Sequence, residues 1–333
     1  MATITFKEAV SAAIREEMLR NSRIVFMGQD IEFAFDEETK RRIGPERIRN
    51  TPISEAGFVG AGLGAALTGM PAIVELGCST FLYSAMDQVI NQAAKSRYMF
   101  GGQASAPLVI RAPVFYGISV AAHHSDRPWG LFAQAPGLKV IVPTTPYDAK
   151  GLLKAALRDG NPVLCFEDYG LRDHRGEVAE GDYTVPIGRA EIRRRGSDVT
   201  IVAVAASVHD SIAAAELLQQ EGISPEVIDI LTVAPLDRRT IIDSVRKTGR
   251  LIVVDPAPLT CGIAAEVAAS VAENAFEHLR APILRVTAPD VPIPFSPALE
   301  RQLYPTVDRI VAAVRRQVHP QLSARTPTAT FAG

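Results

Sequence analysis

The sequence predicts an α/β protein of two three-layer domains with mostly parallel sheets. Helical and strand-like periods alternate through nearly all of the 333 residues, which is the pattern of parallel strands joined by covering helices. Between Asp168 and Gly196 the rhythm loosens into the polar, glycine-rich run GLRDHRGEVAEGDYTVPIGRAEIRRRG, and beyond it resumes. The expected division is therefore residues 1–180 as one domain, 181–196 as linker and 197–320 as a second domain. Residues 321–333, with the ending SARTPTATFAG, read as a disordered tail. The length suffices for two separate cores.

Each element has a local reason. Thr5 and Glu8 have the spacing of a capping box for a first helix with Phe6, Val10, Ala13 and Ile14 inward. RIVFMG at 23–28 reads as a buried strand. Ser54 is placed to cap a helix over 55–68, which Gly69 and Pro71 end. Residues 72–76 form the next strand. Ser84 and Asp87 open an expected helix to residue 99, stopped by Gly101 and Gly102. Strands follow at 108–111 and 139–142. Pro146 suits the first position of a helix capped by Thr145, and 163–166 is another strand. In the second domain strands are expected at 198–205, 226–230, 251–255 and 283–286. Helices end near Gly222, begin at the cap Asp237, span 262–279 and span 307–317.

Composition removes several classes of function. The chain is 47% hydrophobic and 22% charged, with a formal net charge of -2. That balance argues against nucleic-acid partners and against a polybasic membrane surface. The most apolar stretch, 58–74, is broken by five residues, Gly60, Gly62, Gly64, Gly69 and Pro71, so no membrane span is expected. The start MATITFKEAV has no basic region followed by an apolar run. Cys78, Cys165 and Cys261 are scattered, so neither a disulfide framework nor a metal pair follows, and a reducing cytoplasm is the expected compartment.

The chemistry concentrates in residues 51–102, TPISEAGFVGAGLGAALTGMPAIVELGCSTFLYSAMDQVINQAAKSRYMFGG. Glu55 falls on the first turn of a helix crowded with small residues. From position alone it reads as a carboxylate favoured by the helix dipole. Gly60, Gly62 and Ala65 loosely match a dinucleotide fingerprint, but they lie inside the helix rather than in a strand-to-helix turn. Nicotinamide or flavin binding there is rejected.

TPISEAGFVG, followed by DQVINQAAKSRYMFGG, AAHHS and APGLKVIVPTTPYDAKGLLKAALRDGNPV, resembles the β subunits of pyruvate, branched-chain 2-oxo acid and acetoin dehydrogenases. The similarity continues through SDVTIVAVAASV, EVIDILTVAPLD and APILRVTAPDVPIPF, and so covers nearly the whole chain in order. The resemblance implies a thiamin pyrimidine-binding domain followed by a transketolase C-terminal-like domain. It implies decarboxylation of a 2-oxo acid with transfer of the acyl group to a lipoyl carrier. Thiamin diphosphate would lie between subunits, its pyrimidine in the β subunit and its diphosphate held through magnesium by an α subunit. In keeping with that division, the chain has no GDG followed about two dozen residues later by Asn. An α2β2 heterotetramer, a β–β contact and docking to a lipoyl acyltransferase core are implied in the same way.

Residue by residue, Glu55 matches the carboxylate that hydrogen-bonds the pyrimidine ring and activates the cofactor. Phe81 matches the aromatic residue that stacks on that ring, and Gly77 stands close by. His124 matches the active-site histidine, whose imidazole suits proton transfer; His123 is given no role. Leu108, Ala156, Leu157, Asp159 and Asn161 match a potassium site of some relatives, with a helix end capped by Gly160 as the equal alternative. Several positions depart from the family pattern. Gly77 replaces a bulky residue, often Met, while Asp126, Arg127 and Pro128 replace a Gln-and-small stretch. Gln134 replaces His, and Leu231 and Ala234 replace an Arg and a larger side chain. A void at Gly77 beside a charged Asp126–Arg127 pair suggests a polar or longer oxo substrate. Two alternatives remain open: the C-terminal subunit of a split transketolase, and a non-catalytic assembly subunit.

Overall fold

The computed structural model describes residues 1–115 and 117–319, so the expected tail lies outside the described residues. The chain forms two compact units. Unit 1 holds Met1–Ala190, Ile230–Asp237 and Val291–Leu303; unit 2 holds Glu191–Asp229, Arg238–Asp290 and the chain from Tyr304. The units part at Ala190, within the expected linker, but two later segments return to unit 1.

In chain order unit 1 begins with β1 (Ala2–Thr5), α1 (Phe6–Arg20), β2 (Val25–Gly28), α2 (Glu37–Ile43) and β3 (Ile48–Asn50). It continues with α3 (Glu55–Leu67), β4 (Ala72–Glu75), a 3-10 turn over Ser79–Ala85, a π-helical stretch Asp87–Ala93 and α4 (Ala94–Met99). Then come β5 (Leu108–Val114), a short turn Ala122–His124, α5 (Trp129–Ala133), β6 (Lys139–Ile141), α6 (Pro146–Asp159), β7 (Val163–Asp168) and β8 (Arg175–Val178). Unit 2 opens with β9 (Glu191–Arg194), β10 (Val199–Ala203), α7 (Ser207–Gln220) and β11 (Pro225–Asp229). The strand β12 (Thr232–Ala234) belongs to unit 1. After it follow α8 (Arg238–Thr248), β13 (Leu251–Pro258), α9 (Ile263–Ala275), β14 (Leu284–Ala288), α10 (Pro297–Glu300, in unit 1) and α11 (Val307–Val318).

The sheet of unit 1 has the order β12-β6-β7-β5-β4-β2-β3, parallel except for β12. The unit 2 sheet runs β14-β13-β10-β11-β9 and is parallel except for β9. Its core is almost wholly aliphatic, Val199, Ile201, Val227, Ile252, Val254 and Ile310 among them. Burying each such side chain is worth roughly 1.5–3 kcal/mol. A two-stranded antiparallel pair, β1 with β8, stands apart from both sheets.

Local chemistry explains the elements and their deviations. The capping box at Thr5 and Glu8 forms, and Thr145 caps α6 through the Asp148 amide. Ser54 does not cap α3: its hydroxyl lies over the first turn, 2.8 Å from where a Cβ on Gly57 would stand. The single helix expected from Ser84 is instead three segments. Asp87 accepts from Asn91 Nδ2 at 2.9 Å and Gln92 Nε2 at 3.4 Å, four and five residues on, which favours the wider π turn. β5 and β7 run past their expected ends, because the charged residues that interrupt their apolar pattern, Arg111 and Glu167, pair with each other inside the sheet.

Candidate active site

β4 and β5 are neighbours in parallel register, so the loops leaving their C-terminal ends start side by side. Ligands of open parallel sheets gather at such ends. The loop after β4 carries Gly77 and Phe81; the loop after β5 carries His123 and His124.

Three consecutive side chains join the loops. The Thr80 hydroxyl donates to the His123 carbonyl at 2.7 Å, Ser79 to the Asp126 carbonyl at 2.9 Å, and the Cys78 thiol to the His124 carbonyl at 3.3 Å. Each hydroxyl bond contributes roughly 0.5–1.5 kcal/mol net. Their result is geometric. The Phe81 ring stands edge to face with the His124 imidazole, centroids 5.6 Å apart and planes at 74°. His123 stacks obliquely on His124 at 4.0 Å and is itself exposed. A Cβ added at exposed Gly77 would meet Phe81 Cε2 at 3.6 Å, ordinary contact, so the glycine leaves open space beside that ring.

Glu55 is the first residue of α3, half-buried, and its carboxylate has no hydrogen-bond or ion-pair partner among the described residues. α3 packs against both the Ser79–Ala85 turn and the π-helical stretch after it. An unpartnered carboxylate on a helix N-terminus, an aromatic ring with a glycine beside it and an imidazole set at a steep angle to that ring together fit a flat aminopyrimidine.

The departures sort differently from expectation. Arg127 and Asp126 are engaged in different directions. Arg127 is buried, and its guanidinium donates to the carbonyls of Ser125 and Phe115, both at 3.0 Å. Asp126 is exposed and accepts from the Tyr83 hydroxyl at 2.9 Å. Burial, with the Asp126 carboxylate beside it, pushes the Tyr83 phenol far above its ordinary range. Gln134 is exposed at the end of α5, Pro128 is buried, and Leu231 accepts from the Val142 amide at 2.8 Å, holding β12 on the sheet.

The residues matched to potassium fall on β5 and at the end of α6. Leu108 opens β5, while Ala156, Leu157 and Asp159 end α6 before Gly160, whose carbonyl takes the Ser105 hydroxyl at 2.8 Å. The Asp159 carboxylate is already engaged, by the Lys139 ammonium and by Asn161 Nδ2 at 2.9 Å. A cation here would have to rely on carbonyl oxygens. Among the described residues no three His, Cys, Asp or Glu side chains cluster as a metal site.

Sequence reasoning missed a second polar cluster. Arg111 donates from Nε and Nη2 to both oxygens of Glu167, at 2.6 and 2.8 Å, and from Nη1 to Glu75. Burial raises the Glu75 carboxyl, with Arg111 opposing that shift and Glu167 adding to it. The signal was present: AIVE and LVIRAPV each carry one charge in an apolar strand, and VLCFED ends in two. A cavity of about 270 Å³ opens over this cluster beneath α1, lined also by Phe6, Val10, Phe33 and Phe35. None of Glu55, Gly77, Phe81 or His124 lines it. Phe81 and His124 meet at the loops after β4 and β5, with Gly77 beside the ring and Glu55 on the neighbouring helix α3; the cavity lies apart from these residues.

Comparison with known proteins identifies the fold and the family. Residues 2–171 match the transketolase pyrimidine binding domain and 188–310 the transketolase C-terminal domain, so the fold is that of the transketolase class. Within the class the chain is 44% identical to the acetoin:2,6-dichlorophenolindophenol oxidoreductase subunit beta of Bacillus subtilis, over 93% of this chain and 95% of that protein. It is 43% identical to the pyruvate dehydrogenase E1 component subunit beta of the same organism, over 90% and 94%. It is 40% identical to the 2-oxoisovalerate dehydrogenase subunit beta there, over 95% and 98%. The chain belongs to the family of 2-oxo acid dehydrogenase E1 β subunits. A solved structure titled split gene transketolase, inactive beta4 tetramer, superposes with a TM-score of 0.78 at 25% identity, covering 95% of this chain and 98% of that one.

Proposed function

We propose that this chain is the β subunit of a thiamin-diphosphate-dependent 2-oxo acid dehydrogenase, active with an α subunit in an α2β2 assembly. The observation that carries the reading is the Phe81–His124 pair, stitched across two strand ends, with open space at Gly77. When bound, thiamin diphosphate supplies a carbon nucleophile and an electron sink for decarboxylation. Phe81 offers a ring face on which the pyrimidine stacks. Glu55 holds a proton at a ring nitrogen, and His124 moves a proton at the reacting centre. The α subunit supplies the magnesium and the diphosphate site. Potassium, if held, sits among carbonyls near Leu108, Ala156, Leu157, Asp159 and Asn161. A β–β contact and transfer of the acyl group to a lipoyl acyltransferase core complete the scheme.

The higher sequence identity to the dehydrogenase subunits favours this reading over a split transketolase. The three cysteines are all free, which suits a reducing cytoplasm. No helix among the described residues is long and apolar enough to cross a membrane.

The test is Glu55→Gln in enzyme reconstituted with its α subunit. Cofactor binding, read by calorimetry, should persist, while dye-linked oxidation of 2-oxo acids falls by roughly 10²–10⁴-fold, the usual weight of an acid–base group. Unchanged turnover would favour an assembly role. Ketol transfer between sugar phosphates without lipoamide would favour the transketolase alternative.

A further inference from the structure

Glu300, the last residue of α10, is 1% exposed and lies 181 residues along the chain from the loop it grips. Its Oε1 accepts from the Gly117 amide at 3.1 Å. Its Oε2 accepts from the Ser119 amide at 2.9 Å and the Ser119 hydroxyl at 2.8 Å. Two backbone amides and a hydroxyl thus converge on one buried carboxyl group. The gripped loop joins β5 to the turn that presents His124.

That loop needs holding. Ser119 and Ala121 have φ of 59° and 67°, values that L side chains rarely adopt, and Gly117 has 70°. Ala121 begins the histidine turn: its carbonyl accepts from the His124 amide at 3.3 Å and the Ser125 hydroxyl at 2.7 Å. The far side of the turn is fixed separately, because Cys78, Ser79 and Thr80 bind the carbonyls of residues 124, 126 and 123. Glu300 therefore restrains residues 117–119, a stretch that those three bonds do not reach.

We propose that Glu300 is a positioning residue for His124. Its buried carboxylate keeps residues 117–121 in a strained conformation and so aims the imidazole at the face of Phe81. The inference rests on the reading of His124 as the proton-moving group. Without the clamp, Ser119 and Ala121 relax toward negative φ and the imidazole turns, while the carbonyl bonds from residues 78–80 keep the turn folded. Misplacement of a reacting group by about 1 Å can cost on the order of 100-fold in rate. The expected effect thus falls on turnover more than on folding or on substrate affinity.

The experiment is a double-mutant cycle in the reconstituted α–β enzyme, with dye-linked turnover of a 2-oxo acid as readout. Glu300→Ala should lower kcat about 10- to 100-fold, with KM changed less than about threefold. In a His124→Ala background the same substitution should cost no more than about twofold, because the group it positions is gone. Glu300→Gln keeps the size of the side chain, with one oxygen in place of two. It should give an intermediate loss, and it decides the question if the alanine variant fails to assemble. Equal losses in both backgrounds, or full turnover in a folded Glu300→Gln enzyme, overturn the proposal. Full turnover in His124→Ala alone would instead remove the underlying reading of His124, a separate and recognisable failure.

Discussion

Arg111→Met tests whether the buried cluster of unit 1 is held by charge or merely by packing. Methionine fills much of the space but leaves Glu167 and Glu75 facing each other without a cation. Removing one partner of a buried ion pair costs about 3–5 kcal/mol, because the survivor is left charged and dry. The structure points to the lower end. The Glu167 side chain is only 10% exposed, but Glu75 keeps 26% of its side-chain surface open and can rehydrate through the cavity beneath α1. A loss of about 3 kcal/mol with a urea slope of ~2–3 kcal/mol/M predicts a midpoint lower by roughly 1–1.5 M. Trp129 reports the right unit: it is the single tryptophan, fully buried, 6.0 Å from Phe166 on the strand that carries Glu167. The pH dependence supplies the decisive sign. Burial already raises the Glu75 carboxyl, and loss of the opposing guanidinium raises it further. A carboxyl raised in the folded state binds more protons there than in the unfolded chain, so stability falls as pH rises from the unfolded value, about 4.3, through the folded one. The gap between variant and parent should therefore be smaller at pH 5 than at pH 8, each titrating group changing it by up to about 1.4 kcal/mol per pH unit. A shift of equal size at both pH values would refute the electrostatic account.

Gly77→Met should leave folding unchanged within about 0.5 kcal/mol, since its Cβ meets only ordinary contact. It should cut kcat/KM for longer 2-oxo acids relative to pyruvate by about 10-fold or more, measured over a substrate panel; an unchanged ratio would show that this void does not select the substrate. Gly137→Ala is different. The residue has φ of 93° and an added Cβ would lie 2.0 Å from the Ala94 carbonyl oxygen, which is backbone and cannot swing away. Left-handed strain plus overpacking should cost about 2–5 kcal/mol, read by the Trp129 unfolding midpoint, and a change below about 1 kcal/mol would contradict the geometry.

How legible these features were depends on whether their cause is local. Capping at Thr5 and Thr145 was readable, because donor and acceptor are three residues apart. The alternation that gave two mostly parallel sheets was readable for the same reason. Three features depended on distant partners. β12 lies in the sheet of unit 1, by pairing with β6, although its sequence falls amid second-domain elements. The π-helical stretch follows from one aspartate choosing partners four and five residues on. Glu300 acts through residues nearly two hundred positions away, and no pattern around PALE announces it. At the site itself, resemblance named Glu55, Phe81 and His124 but was silent on Cys78, Ser79 and Thr80. Three successive short donors directly before the stacking aromatic were nevertheless a visible signal.

Those three donors also bear on what the site selects. They bond to backbone carbonyls, so they fix the histidine turn without occupying a side chain that a ligand would need. The His124 imidazole keeps its nitrogens without hydrogen-bond partners among the described residues, and the Phe81 face stays uncovered at Gly77. Arg127, whose charge seemed in sequence to equip the rim for a polar substrate, spends its donors inward on Ser125 and Phe115. Asp126 is tied to Tyr83. The Arg127 guanidinium is thus committed to backbone carbonyls, and the Asp126 carboxylate to a phenol, rather than both being turned to the rim. We propose that the open space at Gly77 bears on the choice between oxo acids instead. On this reading a polar-substrate preference would require charges from the α subunit, and swapping α partners, not mutating Arg127, is the manipulation that should alter it.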